Sequence, residues 1–456
     1  MLFRSTFVAV PGNNTISGEY STTSPNTSAV SASGSDVIVT DNGALTISTT
    51  GDAGMGLSVS NGAKITLDDS GSTIRTSGEG SHAITIVGDN SEAMLNNLTV
   101  STEGEIASAV LFSSNAKGTI DGGSYTATGE GSYGVEILNG ADLTIKNATI
   151  TTSGYGMARA IVNRYATLSL ENVNINTTGD FGNAGIYNDG ELTGSNVTIT
   201  TTGSQSFGIQ NYTNTFNLAA SHVETYGEQS VGIMNTGRAE LTDTHIVTQG
   251  KNADAISSDG AKSTFVLNNG STIASGENSR AVAMTHGGAL EANSTDITSE
   301  QSAAIALESA SSATVTHSNV SGSNVAFSFS GGKNVATIDG GSITATASGG
   351  SAFAVDSGSA DINVKNVQTM NADNLLTVAN TTDAVTLRAE NSKLSGAVKA
   401  SGDNVSMTLD ANSQWLLTAD SSVGNLTSSG RITLGDENGS TGTLNVGNLT
   451  LRANSQ

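Results

Sequence analysis

The stretch Gly129-Glu130-Gly131-Ser132-Tyr133-Gly134-Val135-Glu136-Ile137-Leu138-Asn139-Gly140-Ala141-Asp142-Leu143-Thr144-Ile145-Lys146-Asn147-Ala148-Thr149-Ile150-Thr151-Thr152-Ser153 reads as three short strands separated by turn residues. The strands are Tyr133 to Leu138, Asp142 to Lys146 and Thr149 to Ser153, with breaks at Asn139-Gly140 and at Asn147. Within each strand the apolar residues alternate: Val135 and Ile137, then Leu143 and Ile145, then Ile150 and Thr152 share one face. The following stretch supplies Ile161, Leu168, Leu170, Val173 and Ile175 at equivalent places. No strand of four to six residues buries a face alone, so equal units must stack like on like.

Outward from this stretch, a small residue followed by an aliphatic or aromatic one recurs after each Gly-rich turn. The larger members are Leu57, Ile84, Val110, Val135, Ile161, Ile186, Ile209, Ile233, Ile256, Val282, Ile305, Phe327, Phe353 and Leu376. They mark fourteen coils with a mean step of about 24.5 residues, inside the range of solenoid repeats. The expected fold is all-β: a right-handed parallel β-helix (β-solenoid) of about 14 or more coils of roughly 24–25 residues, three strands per coil. At the usual strand spacing, fourteen coils span roughly 65 Å. The step organises residues 46–395. Residues 1–45 match it poorly and are expected to form an N-terminal cap with irregular first coils, and residues 396–456, where the step is lost, to form C-terminal coils and a cap that keep the sheet edge covered.

Composition agrees with this texture. Of 456 residues, 54 are Gly and 2 Pro, while 13% are charged and 4% aromatic, which suits many short strands and tight turns and disfavours helices. The 18 basic and 41 acidic residues give a formal charge of −23, which repels a phosphate backbone, so no nucleic-acid partner is expected. No Cys is present, which excludes disulfides and thiolate metal or redox sites. No apolar run is long enough to span a bilayer as a helix, and Met1-Leu2-Phe3-Arg4-Ser5 lacks the charged start and apolar core of a secretory signal, so any export signal is expected outside this sequence.

Several residues invite a functional reading. Asp52, Glu79, Glu105, Glu130, Asp180, Glu228 and Glu277 each follow a turn Gly, and stacking lines them up as an acidic ridge. Such a ridge is well solvated, neutralised by cations or used to meet a basic partner, and plain solvation of a turn is the simplest of these. Asn163, Asn188, Asn211 and Asn235 lie two residues beyond the step residue in four consecutive coils, the pattern of a structural amide ladder. His222 and His245 hold equivalent positions one coil apart, but a zinc centre wants three or four ligands and no third is in register. Arg159 and Arg164, one coil before Asp180, form the best acid–base neighbourhood for glycan chemistry. No nucleophile elbow, His-Glu-x-x-His or P-loop stands out, and Gly129-Glu130-Gly131-Ser132 is of a kind that composition alone produces. No catalytic residue, metal site or cofactor is expected.

The repeats at 154–175 and 227–246 resemble those of the passenger region of bacterial type V autotransporters, the pertactin-like and AIDA-type surface proteins. The C-terminal run Asn412-Ser413-Gln414-Trp415-Leu416-Leu417-Thr418-Ala419-Asp420-Ser421-Ser422-Val423-Gly424-Asn425-Leu426, with Gly442 to Thr450 after it, is similar to that family's junction segment, and Trp415 is the only Trp. The resemblance implies that Trp415, Leu417, Val423 and Leu426 belong to a C-terminal folding region. It further implies export to the surface of a Gram-negative bacterium, with a translocating membrane β-barrel expected downstream of this sequence. The function it implies is adhesion or self-association, aggregation and biofilm included, through the long faces and loops, towards a host or bacterial surface receptor or glycan or another copy of the passenger. A glycan-processing or glycan-binding β-helix and a phage tail-spike-like fibre segment are the alternatives.

Overall fold

The computed structural model describes residues 6–379, 382–400, 404–435 and 442–452. The opening segment 1–5 and the last residues, 453–456, lie outside the described residues. Every regular element is a β-strand, and no helix among the described residues is long and apolar enough to cross a membrane. The strands wind as a right-handed parallel β-helix of about 17 turns. The chain packs as two units, residues 1–230 and 231–456.

The coil quoted above shows the plan. Its strands are Tyr133–Leu138, Asp142–Lys146 and Thr149–Thr152. Each pairs in parallel with its counterpart in the previous coil, as Tyr125 does with Ile150, and in the next, as Ile145 does with Leu170. The step residues form one continuous interior column within each unit. In the first unit Leu57, Ile84, Val110, Val135, Ile161, Ile186 and Ile209 are successive Cα partners. In the second the column runs Ile233, Ile256, Val282, Ile305, Phe327, Phe353, Leu376 and Val398. Buried aliphatic side chains of this kind each contribute about 1.5–3 kcal/mol. Volume is balanced between neighbours: a Cβ on Gly118 would lie 2.4 Å from Phe112 Cε1, so the ring occupies the space that the glycine leaves.

The turn that leads from the third strand into the next coil explains the recurrent Gly-acid motif. A Cβ on Gly129 would lie 2.0 Å from the carbonyl oxygen of Gly104, and one on Gly104 would lie 1.8 Å from that of Gly78. The glycines are therefore required by close approach of stacked backbones. A serine three residues on seals the carbonyl below: Ser132 Oγ donates to Gly104 O at 2.7 Å, Ser81 Oγ to Gly51 O at 2.7 Å and Ser230 Oγ to Gly203 O at 2.8 Å. Gly129-Glu130-Gly131-Ser132 is one instance of this stacking turn.

Strand pairing begins early. Phe7–Val8 pairs with Val30 and Ser31, and Gly12–Thr22 pairs with Val37 to Thr49, so coils of the common plan already lie within residues 1–45. Towards the C-terminus the coils shorten, with Lys393 pairing Gln414 and Gln414 pairing Arg431. Trp415 is fully buried there, and its Nε1 donates to Gly396 O at 3.0 Å. Leu417, Val423 and Leu426 are buried in the same region.

Candidate functional site

The first strand of each coil carries two successive inward residues, the small one and the step residue. Gly134 faces inward so closely that a Cβ would lie 2.4 Å from Ile150 Cγ2 in the third strand, and Gly185 bears the same relation to Ile199 at 2.3 Å. The residues on either side of this pair turn outward and form columns on the exterior. One column runs Ser108, Tyr133, Arg159, Ala184, Phe207, and the next runs Leu111, Glu136, Val162, Tyr187, Gln210. Though they face outward, Val162 and Ala184 are 0% exposed, Gln210 6% and Arg159 8%. Their neighbours on the same face cover them.

The centre of this face is an arginine–tyrosine cluster. The Arg159 guanidinium sits 4.1 Å from the centroid of the Tyr187 ring, and that of Arg164 sits 5.0 Å from the same ring. Tyr212 packs against Tyr187 with centroids 5.1 Å apart. Contact with a ring face offsets part of the cost of removing a cation from water. It does not satisfy the donors: Arg159 Nε has no hydrogen-bond partner, and neither has the buried Gln210 Oε1. Burial pulls the Arg159 pKa below its ordinary value; Tyr133, Tyr187 and Tyr212 oppose that shift and Arg164 adds to it. Among the described residues no carboxylate is a cause of that shift.

Arg280, in the second unit, shows the contrasting solution. It is held by Asp254 through Nε and Nη2, the latter at 2.7 Å, and by Glu308 through Nη1 at 2.7 Å. In a chain with more than twice as many acids as bases, Arg159 is buried without such a partner.

Beside the cluster lies a short polar chain. Ser108 donates its backbone N–H to His82 Nδ1 at 2.9 Å and its hydroxyl to Glu136 Oε2 at 2.7 Å. Burial lowers the His82 pKa. Burial raises that of Glu136, against which the Ser108 bond and Arg164 act. The three residue types are those of a nucleophilic triad, but the serine hydroxyl points to the carboxylate and the imidazole is occupied by a backbone amide. That arrangement does not activate a nucleophile.

The ridge acids Asp52, Glu79, Glu105, Glu130, Asp180 and Glu228 are all exposed in the first unit, and Glu277 is exposed in the second. Their coils stack through backbone bonds such as Ala53 N to Glu79 O at 2.7 Å and Ile106 N to Glu130 O at 2.9 Å, and the column is interrupted by Tyr155 and Ser204. Ile106 and Phe181, directly after Glu105 and Asp180, each have a positive φ and are each exposed. Asp180 Oδ1 accepts the Ser204 N–H at 2.6 Å, and among the described residues no ion pair joins it to Arg159 or Arg164.

The asparagines face inward. Asn163 donates to Asn188 Oδ1 at 2.8 Å and Asn188 to Asn211 Oδ1 at 2.7 Å, while Asn188, Asn211 and Asn235 also donate to turn carbonyls, those of Gly190, Asn214 and Gly237. His222 lies 3.6 Å from Glu224, and His245 Nδ1 meets Ser271 Oγ at 2.7 Å. Among the described residues no three His, Cys, Asp or Glu side chains gather as a metal site.

Sequence reasoning singled out the two arginines but missed Tyr187, Gln210, Tyr212 and Glu136. Their signal lies in the offset from the step residue: Glu136, Tyr187 and Gln210 come one residue after it, and Arg164 and Tyr212 come three after.

No protein-family model and no curated protein matches the chain. A solved structure does: a chain in the cryo-EM structure of the Vag8–C1 inhibitor complex superposes with a TM-score of 0.66 at 18% identity, over 98% of this chain and 100% of that one. At that identity the likeness speaks to the fold alone, and it covers essentially the whole chain.

Proposed function

We propose that this chain is the exported passenger of a bacterial surface protein and that it works by binding, as an adhesion scaffold, through the outward face of its first strands. The carrying observation is the Tyr187, Tyr212, Arg159 and Arg164 cluster. Tyrosine and arginine dominate the energetics of binding surfaces, and in a chain with 4% aromatic residues they meet here on one exterior face. The likeness to Vag8, whose solved complex is with C1 inhibitor, supports a solenoid of this architecture serving as a platform for a partner. Export, a surface location and an acting membrane barrel follow from the same reading, as does an activity without chemistry.

The acidic ridge is a solvated edge that limits contact between copies, so the partner is a different molecule. The inward asparagine ladder and the Trp415 region serve folding. The reading is tested by displaying the full chain on cells and scoring adherence to host cells and clumping in monoculture. Tyr187→Ala with Tyr212→Ala is expected to abolish adherence while leaving the amount displayed unchanged. Full adherence by that variant, or clumping as the sole phenotype, would overturn it.

A further inference from the structure

The unmet hydrogen-bonding atoms on this face identify a ligand chemistry, an inference that rests on the face being the working surface. Arg159 Nε is a buried donor without an acceptor, and Gln210 Oε1 is a buried acceptor without a donor. They flank Tyr187 in adjacent columns, Arg159 against its ring and Gln210 as its Cα partner in the next coil. A buried polar atom left unpaired carries an uncompensated desolvation cost, so a ligand that reaches both atoms as the side chains covering them move aside recovers that cost on binding. Arg164 adds a second guanidinium over the same ring, and among the described residues no carboxylate pairs with Arg159. Donors with a double positive charge call for an anionic oxygen group, and the unmet acceptor calls for a hydroxyl beside it. The rings of Tyr133, Phe207 and Tyr212, each half-buried, border the site and present carbon surface to the flat face of a pyranose.

We infer that the Arg159, Arg164, Tyr187 and Gln210 cluster is a binding site for a carboxylate-bearing sugar, a uronic-acid unit of an acidic polysaccharide, with the carboxylate on the guanidiniums and a ring hydroxyl donating to Gln210 Oε1. Arg159 carries the recognition and Tyr187 holds the two arginines in place. The site binds and does not cleave: the Glu136 carboxylate is engaged with the Ser108 hydroxyl.

The test is calorimetric titration of the full chain with a galacturonic acid trisaccharide and with its methyl ester, at one ionic strength. The acid is expected to bind at least about tenfold more tightly than the ester, the factor carried by one charge-assisted contact. Arg159→Met is expected to remove that preference while leaving thermal stability equal or higher, because an unpaired buried cation is replaced by an apolar chain of similar length. Arg164→Gln, at a more exposed position, is expected to weaken acid binding in a chain that folds whatever Arg159→Met does. Equal affinity for acid and ester, no binding of the acid, or full binding by Arg164→Gln would overturn the assignment. Acetate or sulfate binding as tightly as the trisaccharide would reduce the site to a bare anion site and overturn its saccharide part. If saccharide binding fails while the Tyr187 and Tyr212 variant still loses adherence, the binding face stands and only the ligand class falls.

Discussion

A methyl group is enough to measure how closely the coils approach one another. On Gly129 it would meet the Gly104 carbonyl at 2.0 Å, whereas on Gly131, two residues on, it would meet nothing nearer than 3.8 Å. Gly129→Ala is expected to lower stability by about 3 kcal/mol or more, since stacked backbones must separate. Gly131→Ala is expected to cost only about 1–2 kcal/mol, for its positive φ. Urea unfolding of the two variants checks the order. The converse holds at Ile106, a β-branched residue with a φ of 50° and 66% exposure. Ile106→Gly is expected to raise stability by about 1 kcal/mol in the same measurement.

Glu136 supplies a pH signature. Burial raises its pKa in the folded chain above the ordinary 4.5, so in the window above 4.5 the folded state holds its proton more tightly than the unfolded state does. Its contribution to stability therefore falls as pH rises through that window. Glu136→Gln, which keeps an acceptor for Ser108, is expected to be more stable than the parent at pH 7, with the difference vanishing below about pH 4.5. A variant less stable than the parent at neutral pH would contradict this account.

At the scale of the element, the strands and their inward columns were legible because alternation and a fixed step leave the same mark in every coil. Val135, Ile161 and Ile186 can be aligned by eye, and they are Cα partners. The turns were partly legible. The acids after the turn glycines stack, yet why glycine recurs there becomes plain only from the distance between carbonyl and would-be Cβ. A second, exterior amide ladder went unread: Asn172 donates to Asn147 Oδ1 at 3.1 Å and Asn196 to Asn172 Oδ1 at 2.8 Å, all three with positive φ. The outward arginine–tyrosine face was the least legible. Outward positions obey no periodic constraint, and the meeting of Arg159 with Tyr187 depends on side chains reaching across to the next coil.

The short C-terminal strands make their own prediction. Trp415 is buried against Leu394 and Ile432, its partners on either side, and satisfies the Gly396 carbonyl. Trp415→Ala is expected to cost about 3–5 kcal/mol. If these coils nucleate folding, the loss appears chiefly as slower refolding followed by far-UV circular dichroism, whereas Leu143→Ala, in a mid-chain coil, chiefly speeds unfolding. The same partition for both variants would remove the C-terminal coils from the nucleus.

For the molecule as a whole, a charge of −23 at pH 7 with an isoelectric point near 4.3 sets how copies treat one another. Like charge keeps chains apart at neutral pH, while the exposed ladders of Asn, Thr and Ser offer many weak contacts once that repulsion is gone. Light scattering is expected to rise steeply as pH approaches 4.3 and to reverse on return to neutrality. Scattering independent of pH across that range would mean that charge is not what holds the copies apart.

The stacked glycines carry a last consequence, for heredity. Because the turns at Gly78, Gly104 and Gly129 stack glycine on glycine, misaligned recombination between their codons would delete or duplicate a full winding and leave every remaining layer seated on a suitable neighbour. Length is thus the trait most free to drift among descendants of this gene.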